Sequence, residues 1–141
     1  KTVAEAEKLL RGIKRTTSAS LSICDAVGGA VFEITPKAIE VRKPTNDLTL
    51  CTNHFVSDGL GIAPKKGCWR LEKLLETQKD DGKLDVEDVF AELDAVNQGK
   101  ETLQSMVFEP ATRTLHLKIG DGKTSATKVK PAVLDLAKLW E

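Results

Sequence analysis

Ser18–Arg42, SASLSICDAVGGAVFEITPKAIEVR, is the stretch whose reading decides the fold. Leu21 and Ile23 alternate with Ser20, Ser22 and Cys24, a period of two that sends successive side chains to opposite faces of a strand. Asp25 to Gly29 is a glycine-rich turn, and Ala30 to Ile34 makes a second strand. Thr35-Pro36-Lys37 is a tight turn, after which Ile39 and Val41 alternate with Glu40 and Arg42 in a third. Strands joined by short turns form an antiparallel meander.

Upstream, Thr2-Val3-Ala4-Glu5 reads as a helix capping box, and Val3, Ala6, Leu9, Leu10 and Ile13 recur at helical spacing to about Arg15. The chain therefore starts inside a folded element at Lys1, which leaves processing, a fragment and a trimmed leader equally open. Downstream, Pro44 to Asp47 breaks the meander, and Leu48 to His54 alternates again as a fourth strand with Cys51 and Asn53 on one face. Ser57 to Gly67 has loop composition; Leu71, Leu74 and Leu75 mark a short helix ended by the polar run Gln78 to Lys83. Asp85 is an N-cap for a helix carrying Val86, Val89, Phe90, Leu93 and Val96 on one stripe, with Gly99 past its end. Leu103 to Phe108 and Thr114 to Ile119 form a hairpin around Glu109-Pro110-Ala111-Thr112, with His116, Thr114 and Lys118 on its expected wet side. Gly120 to Lys128 is a polar connector, and Val133 to Trp140 is a strand end or a short helix. Hairpin-connected strands and separate blocks of helices give an α+β class rather than a βαβ alternation.

A chain of 141 residues with 40% apolar content reads as one unit, residues 1–141, able to fill a core without disulfides. Twenty-one basic and 21 acidic residues leave no cationic footprint, which argues against a nucleic-acid partner. No apolar run approaches the roughly 20 residues that span a bilayer, so no membrane partner is expected. Cys24, Cys51 and Cys68 are too few and too scattered for a disulfide framework, and they lean towards a reducing compartment.

Cys51-Thr52-Asn53-His54-Phe55 is the densest cluster of reactive side chains, placed where a strand meets a loop. A fixed, neutral Asn53 amide can donate to a developing oxyanion, a role worth roughly 3 kcal/mol of transition-state stabilisation. The bland alternative makes Asn53 a turn residue, Cys51 a small buried hydrophobe and His54 a surface or hydrogen-bonded side chain. Cys51 and His54 stand about 10 Å apart along an extended chain and project to opposite faces, which speaks against a nucleophile–base pair. Cys51, His54 and Cys68 match no zinc-ligand spacing and lack a fourth partner, so neither a metal nor another cofactor is expected. Gly120-Asp121-Gly122-Lys123-Thr124 lacks the glycine spacing of a phosphate loop and follows a hairpin instead of opening a helix.

The Cys51–Phe55 cluster, preceded by Gly29 to Pro36 (GAVFEITP), resembles the signature of the penicillin acyltransferase-like family of autoproteolytic N-terminal-nucleophile hydrolases. The likeness extends to Thr2–Ala6, Ser18–Asp25, Arg70-Leu71 and Thr102–Leu115, and Thr52-Asn53-His54 is its specific part. It implies the C-terminal part of a four-layer αββα sandwich and, for Asn53, the oxyanion role, with Cys51, Thr52 and His54 as neighbours. The family nucleophile is a cysteine freed as a new N-terminus, whose thiol attacks an amide or thioester carbonyl while its α-amino group acts as base. No residue here matches it. The resemblance thus implies a partner, the remaining N-terminal segment or chain carrying that cysteine, and a small-molecule acyl-amide substrate. The rival expectation is a non-catalytic binding or interaction domain, or an inactive fragment.

Overall fold

A computed structural model describes residues 2–60, 67–79 and 83–139. The protein is α+β, with two three-stranded antiparallel sheets and three α-helices among the described residues. It divides into two compact units, residues 1–81 and 82–141.

The first unit holds α1 (Val3–Gly12), β1 (Ala19–Cys24), β2 (Gly29–Ile34), β3 (Ile39–Arg42) and α2 (Trp69–Thr77), its sheet ordered β1-β2-β3. The Thr2 hydroxyl accepts from the Glu5 N–H and the Glu5 carboxylate accepts from the Thr2 N–H, closing the expected capping box. Asp25, from the β1–β2 turn, accepts from the Val3 N–H at 2.8 Å and so ties the hairpin to the helix start. That N–H is the main reason its carboxyl sits below the ordinary value. The helix stops at Gly12, short of the expected Arg15; the Arg15 side chain instead reaches the Thr35 and Leu10 carbonyls.

Strand register sorts the sheet into two faces. Ala30, Phe32, Ile34 and Ile39 form the buried core, with Val3 and Leu10 of α1, Ile23 and Val41 packed against it. Opposite them lie Ser20, Ser22, Val31, Glu33, Glu40 and Arg42. From Ala30 onward β2 is buried on both faces.

Leu48 to His54 does not form the expected fourth strand. Asn46 and Asp47 take left-handed backbone conformations, φ 49° and 58°, and the turn closes on a single bridge between Thr45 and Leu48. Beyond it the backbone is captured by side chains of the first sheet instead of a ladder: Arg42 donates to the Leu50 carbonyl at 2.6 Å, and Glu33 accepts from the Val56 and Ser57 N–H groups. Most of the expected Ser57–Gly67 loop lies outside the described residues.

The second unit holds α3 (Val86–Ala95), β4 (Gln104–Glu109), β5 (Thr114–Ile119) and β6 (Ala132–Asp135), in order β4-β5-β6. Asp85 and Asp88 cap α3 reciprocally, each carboxylate accepting the other's N–H. Of the expected Val133–Trp140 segment, Val133–Asp135 belongs to strand β6 and Leu136–Leu139 forms a 3-10 turn, while Trp140 lies outside the described residues.

The expected wet side of the hairpin is the covered one. Lys118 lies 4.0 Å over the Phe90 ring of α3, and Ser105 and Val107, paired with Lys118 and His116, are buried. His116 sits 2.7 Å from the Glu109 carboxylate, its side chain only 16% exposed. The Lys118 ammonium is at home on this covered side because it faces the Phe90 ring and donates to the Thr127 carbonyl. Met106, Phe108, Ile119 and Leu134, on the opposite face, stay 38–58% exposed. No helix among the described residues is long and apolar enough to cross a membrane.

An uncovered apolar sheet face binds hydrophobic dyes. Phe108→Thr, which keeps a strand-favouring residue at a surface position, is expected to lower anilinonaphthalene-sulfonate fluorescence while shifting stability by no more than about 0.5 kcal/mol in thermal melts.

Candidate functional site

The candidate site is Cys51–Phe55, laid on the polar face of the first sheet. The residue that positions it is Glu33, fully buried in the middle of β2. One carboxylate oxygen accepts from Arg42 Nε at 3.0 Å and from the Val56 N–H at 3.0 Å; the other accepts from Val56 at 3.1 Å and Ser57 at 2.9 Å. Burial pushes this carboxyl up, but the Ser57 and Val56 N–H groups, the Ser57 hydroxyl and the Arg42 charge together outweigh it and hold it below its ordinary 4.5. With Arg42 on the Leu50 carbonyl, one ion pair braces the segment at both ends.

Between these braces the side chains diverge. The Cys51 sulfur lies 3.2 Å from the Ser22 hydroxyl of β1, and the buried Thr52 hydroxyl accepts from the Cys68 thiol at 3.8 Å. Asn53 is exposed at a bend, its carboxamide without a hydrogen-bond partner among the described residues. The shared face expected for Cys51 and Asn53 is lost because no strand forms there: Cys51 meets the sheet and Asn53 meets solvent. His54 is half-buried, and its Nδ1 atom is enclosed without a partner among the described residues. No hydrogen bond joins Cys51 to His54; the thiol's partner is Ser22.

Cys68 stands at the N-cap of α2. The Leu71 N–H is the largest of several influences that hold its thiol below the ordinary value, opposed by burial and helped by Thr52 and by the Arg70 N–H and charge. Among the described residues no group of three or more His, Cys, Asp or Glu side chains could hold a metal ion.

Sequence reasoning singled out Asn53 and its neighbours but not Glu33, Arg42 or the contact of Cys68 with Thr52. The signal for Glu33 was present: a lone carboxylate inside the apolar run Ala30–Ile34 must be paired if the strand is central. Nothing in the spacing of Thr52 and Cys68 announces their contact, which depends on where α2 docks.

Compared with protein-family models, curated proteins and solved structures, the chain matches none.

Because the folded-state value of Glu33 lies below that of the unfolded chain, its stabilisation is fully present above about 4.5 and is lost as the pH falls through the folded value. Glu33→Gln, which leaves Arg42 and two N–H groups facing a poorer acceptor, should cost about 1–3 kcal/mol at pH 7. Urea unfolding from pH 7 to pH 3 should show the variant losing less stability than the parent over the acid limb.

Proposed function

We propose that this chain is part of a cysteine N-terminal-nucleophile hydrolase or acyltransferase acting on amide or thioester bonds, with Asn53 as the oxyanion donor. The observation that carries the reading is the state of Asn53: an exposed carboxamide, without a partner among the described residues, on a backbone anchored from both sides by Arg42 and Glu33. A carboxamide with its N–H free, carried on an anchored stretch of backbone, is available to donate to a developing oxyanion. The attacking thiol would come from the partner segment or chain. Its sulfur bonds to the carbonyl carbon, the carbonyl electron pair moves to oxygen, and the Asn53 amide donates to that oxygen. Collapse of the intermediate expels the amine, which takes the proton released by the thiol, and leaves an acyl-thioester.

The sandwich architecture of such enzymes is the matching proposal for the fold. The second sheet has α3 on one face and an uncovered apolar layer on the other, as an inner sheet of a sandwich requires. That same apolar face also favours the second reading, a non-catalytic interaction domain.

Denaturing intact-mass analysis of the protein purified from its native source separates the two. A co-purifying polypeptide beginning with cysteine is expected on the enzyme reading. In that assembly Asn53→Ala should lower kcat on acyl-amide substrates by about 10²–10³ with little change in stability, since Asn53 is exposed. Full activity in the variant, or no nucleophile-bearing partner, removes the enzyme reading and leaves the interaction domain.

A further inference from the structure

A cleft of about 180 Å³ opens in the first unit beside the Cys51–Phe55 segment, lined by the residues that flank it, Leu50 and Val56, and by Leu71 and Leu75 of α2. Val56 and Leu75 remain 38% and 41% exposed, so part of this apolar lining has no protein cover. Arg42, Lys43 and Thr49 line the same cleft. Glu33 offsets the charge of Arg42, whose Nη1 donors remain without an acceptor among the described residues. Lys43 is exposed, and neither its ammonium nor the Thr49 hydroxyl has a partner there. None of the lining residues is acidic. The cleft therefore joins uncovered hydrocarbon to an excess of hydrogen-bond donors and one uncompensated positive charge.

We propose that this cleft binds a small monocarboxylate, with its hydrocarbon end on Leu50, Val56, Leu71 and Leu75 and its carboxylate at Lys43 and Arg42. The size follows from the volume, since a cavity of about 150 Å³ holds a hydrocarbon of about six carbons. Inorganic anions have nothing to place on the leucines, and a neutral alcohol leaves Lys43 unanswered. Binding of a free acid needs neither a nucleophile nor Asn53, so the proposal goes beyond the acyl-transfer reading and does not depend on it.

Titration of the purified chain with hexanoate, followed by backbone amide chemical shifts, tests it. Saturable shifts are expected at Lys43, Leu50, Val56 and Leu71. Lys43→Gln, at an exposed position where the fold should survive, should weaken hexanoate about threefold to tenfold, the effect of losing one charged hydrogen-bond donor. Hexan-1-ol and inorganic phosphate should each bind more weakly than hexanoate by at least the same factor. Asn53→Ala should leave hexanoate binding unchanged. The proposal is overturned if hexanoate gives no saturable shift, if hexanol or phosphate matches it, if Lys43→Gln binds as well as the parent, or if Asn53→Ala abolishes binding. Absence of hexanoate binding would leave the role of Asn53 to be decided by kinetics alone.

Discussion

A carboxylate buried in the central strand of a small sheet is costly, because taking an ion out of water carries a penalty of several kcal/mol. Glu33 can stay ionised at full burial only because every direction in which it could meet water is replaced by a donor: Arg42 from β3, and the Val56 and Ser57 amides from the segment lying over it. These contacts act mutually. The amides would be unsatisfied donors without the carboxylate, and the carboxylate would be an unpaired charge without the amides. One interaction thus fixes an irregular stretch of chain that has no ladder of its own.

The two faces of the first sheet follow from the same constraint. Ala30, Phe32 and Ile34 turn towards α1 and build a conventional apolar core. On the opposite face Glu33, buried as well, lies under the Val56 and Ser57 amides, and the backbone laid over it needs a polar complement. Glu33 and Arg42 supply it. With its main chain so occupied, the Cys51–Phe55 segment bends at Asn53 and His54, sending Cys51 to Ser22, Thr52 to Cys68 and Asn53 outward. The cleft at Lys43 has the same origin, since its lining includes Leu50 and Val56, the residues at which Arg42 and Glu33 hold the backbone.

What was legible in the sequence was local. The Thr2 capping box, the Asp85 N-cap, the 3.6-residue stripe of α3 and the turn-bounded strands β1 to β5 are properties of neighbouring residues, and each appears within a few positions of its expected place. Leu48 to His54 alternates as well as any strand does, yet forms none: its backbone carbonyls are met by side chains, Gln78 at Leu48 and Arg42 at Leu50, instead of by a ladder. For the candidate site, chemical type pointed to Asn53, whereas the residues that hold it in place were visible only as an anomaly: one charge in an apolar strand. The role of Glu33 depends on contacts more than twenty residues away, which no spacing rule encodes.

The hairpin of the second unit sharpens the point. Alternation states which residues share a face, and the register confirms that Ser105, Val107, His116 and Lys118 do. It does not state which face is covered. That depends on the docking of α3, and Phe90 settles on the side whose residues look wetter, where the Lys118 ammonium stands over its ring and Glu109 answers His116. The cost of that choice is transferred to the other face. Met106, Phe108, Ile119 and Leu134 are left in water, where each Å² of apolar surface forgoes about 25 cal/mol of burial. A sheet with one face under a helix and an uncharged apolar opposite face has solved half of its packing problem. On the proposed enzyme reading a nucleophile-bearing segment would cover that face, and on the interaction reading an unrelated partner would, so the choice between the two is a choice of what packs there.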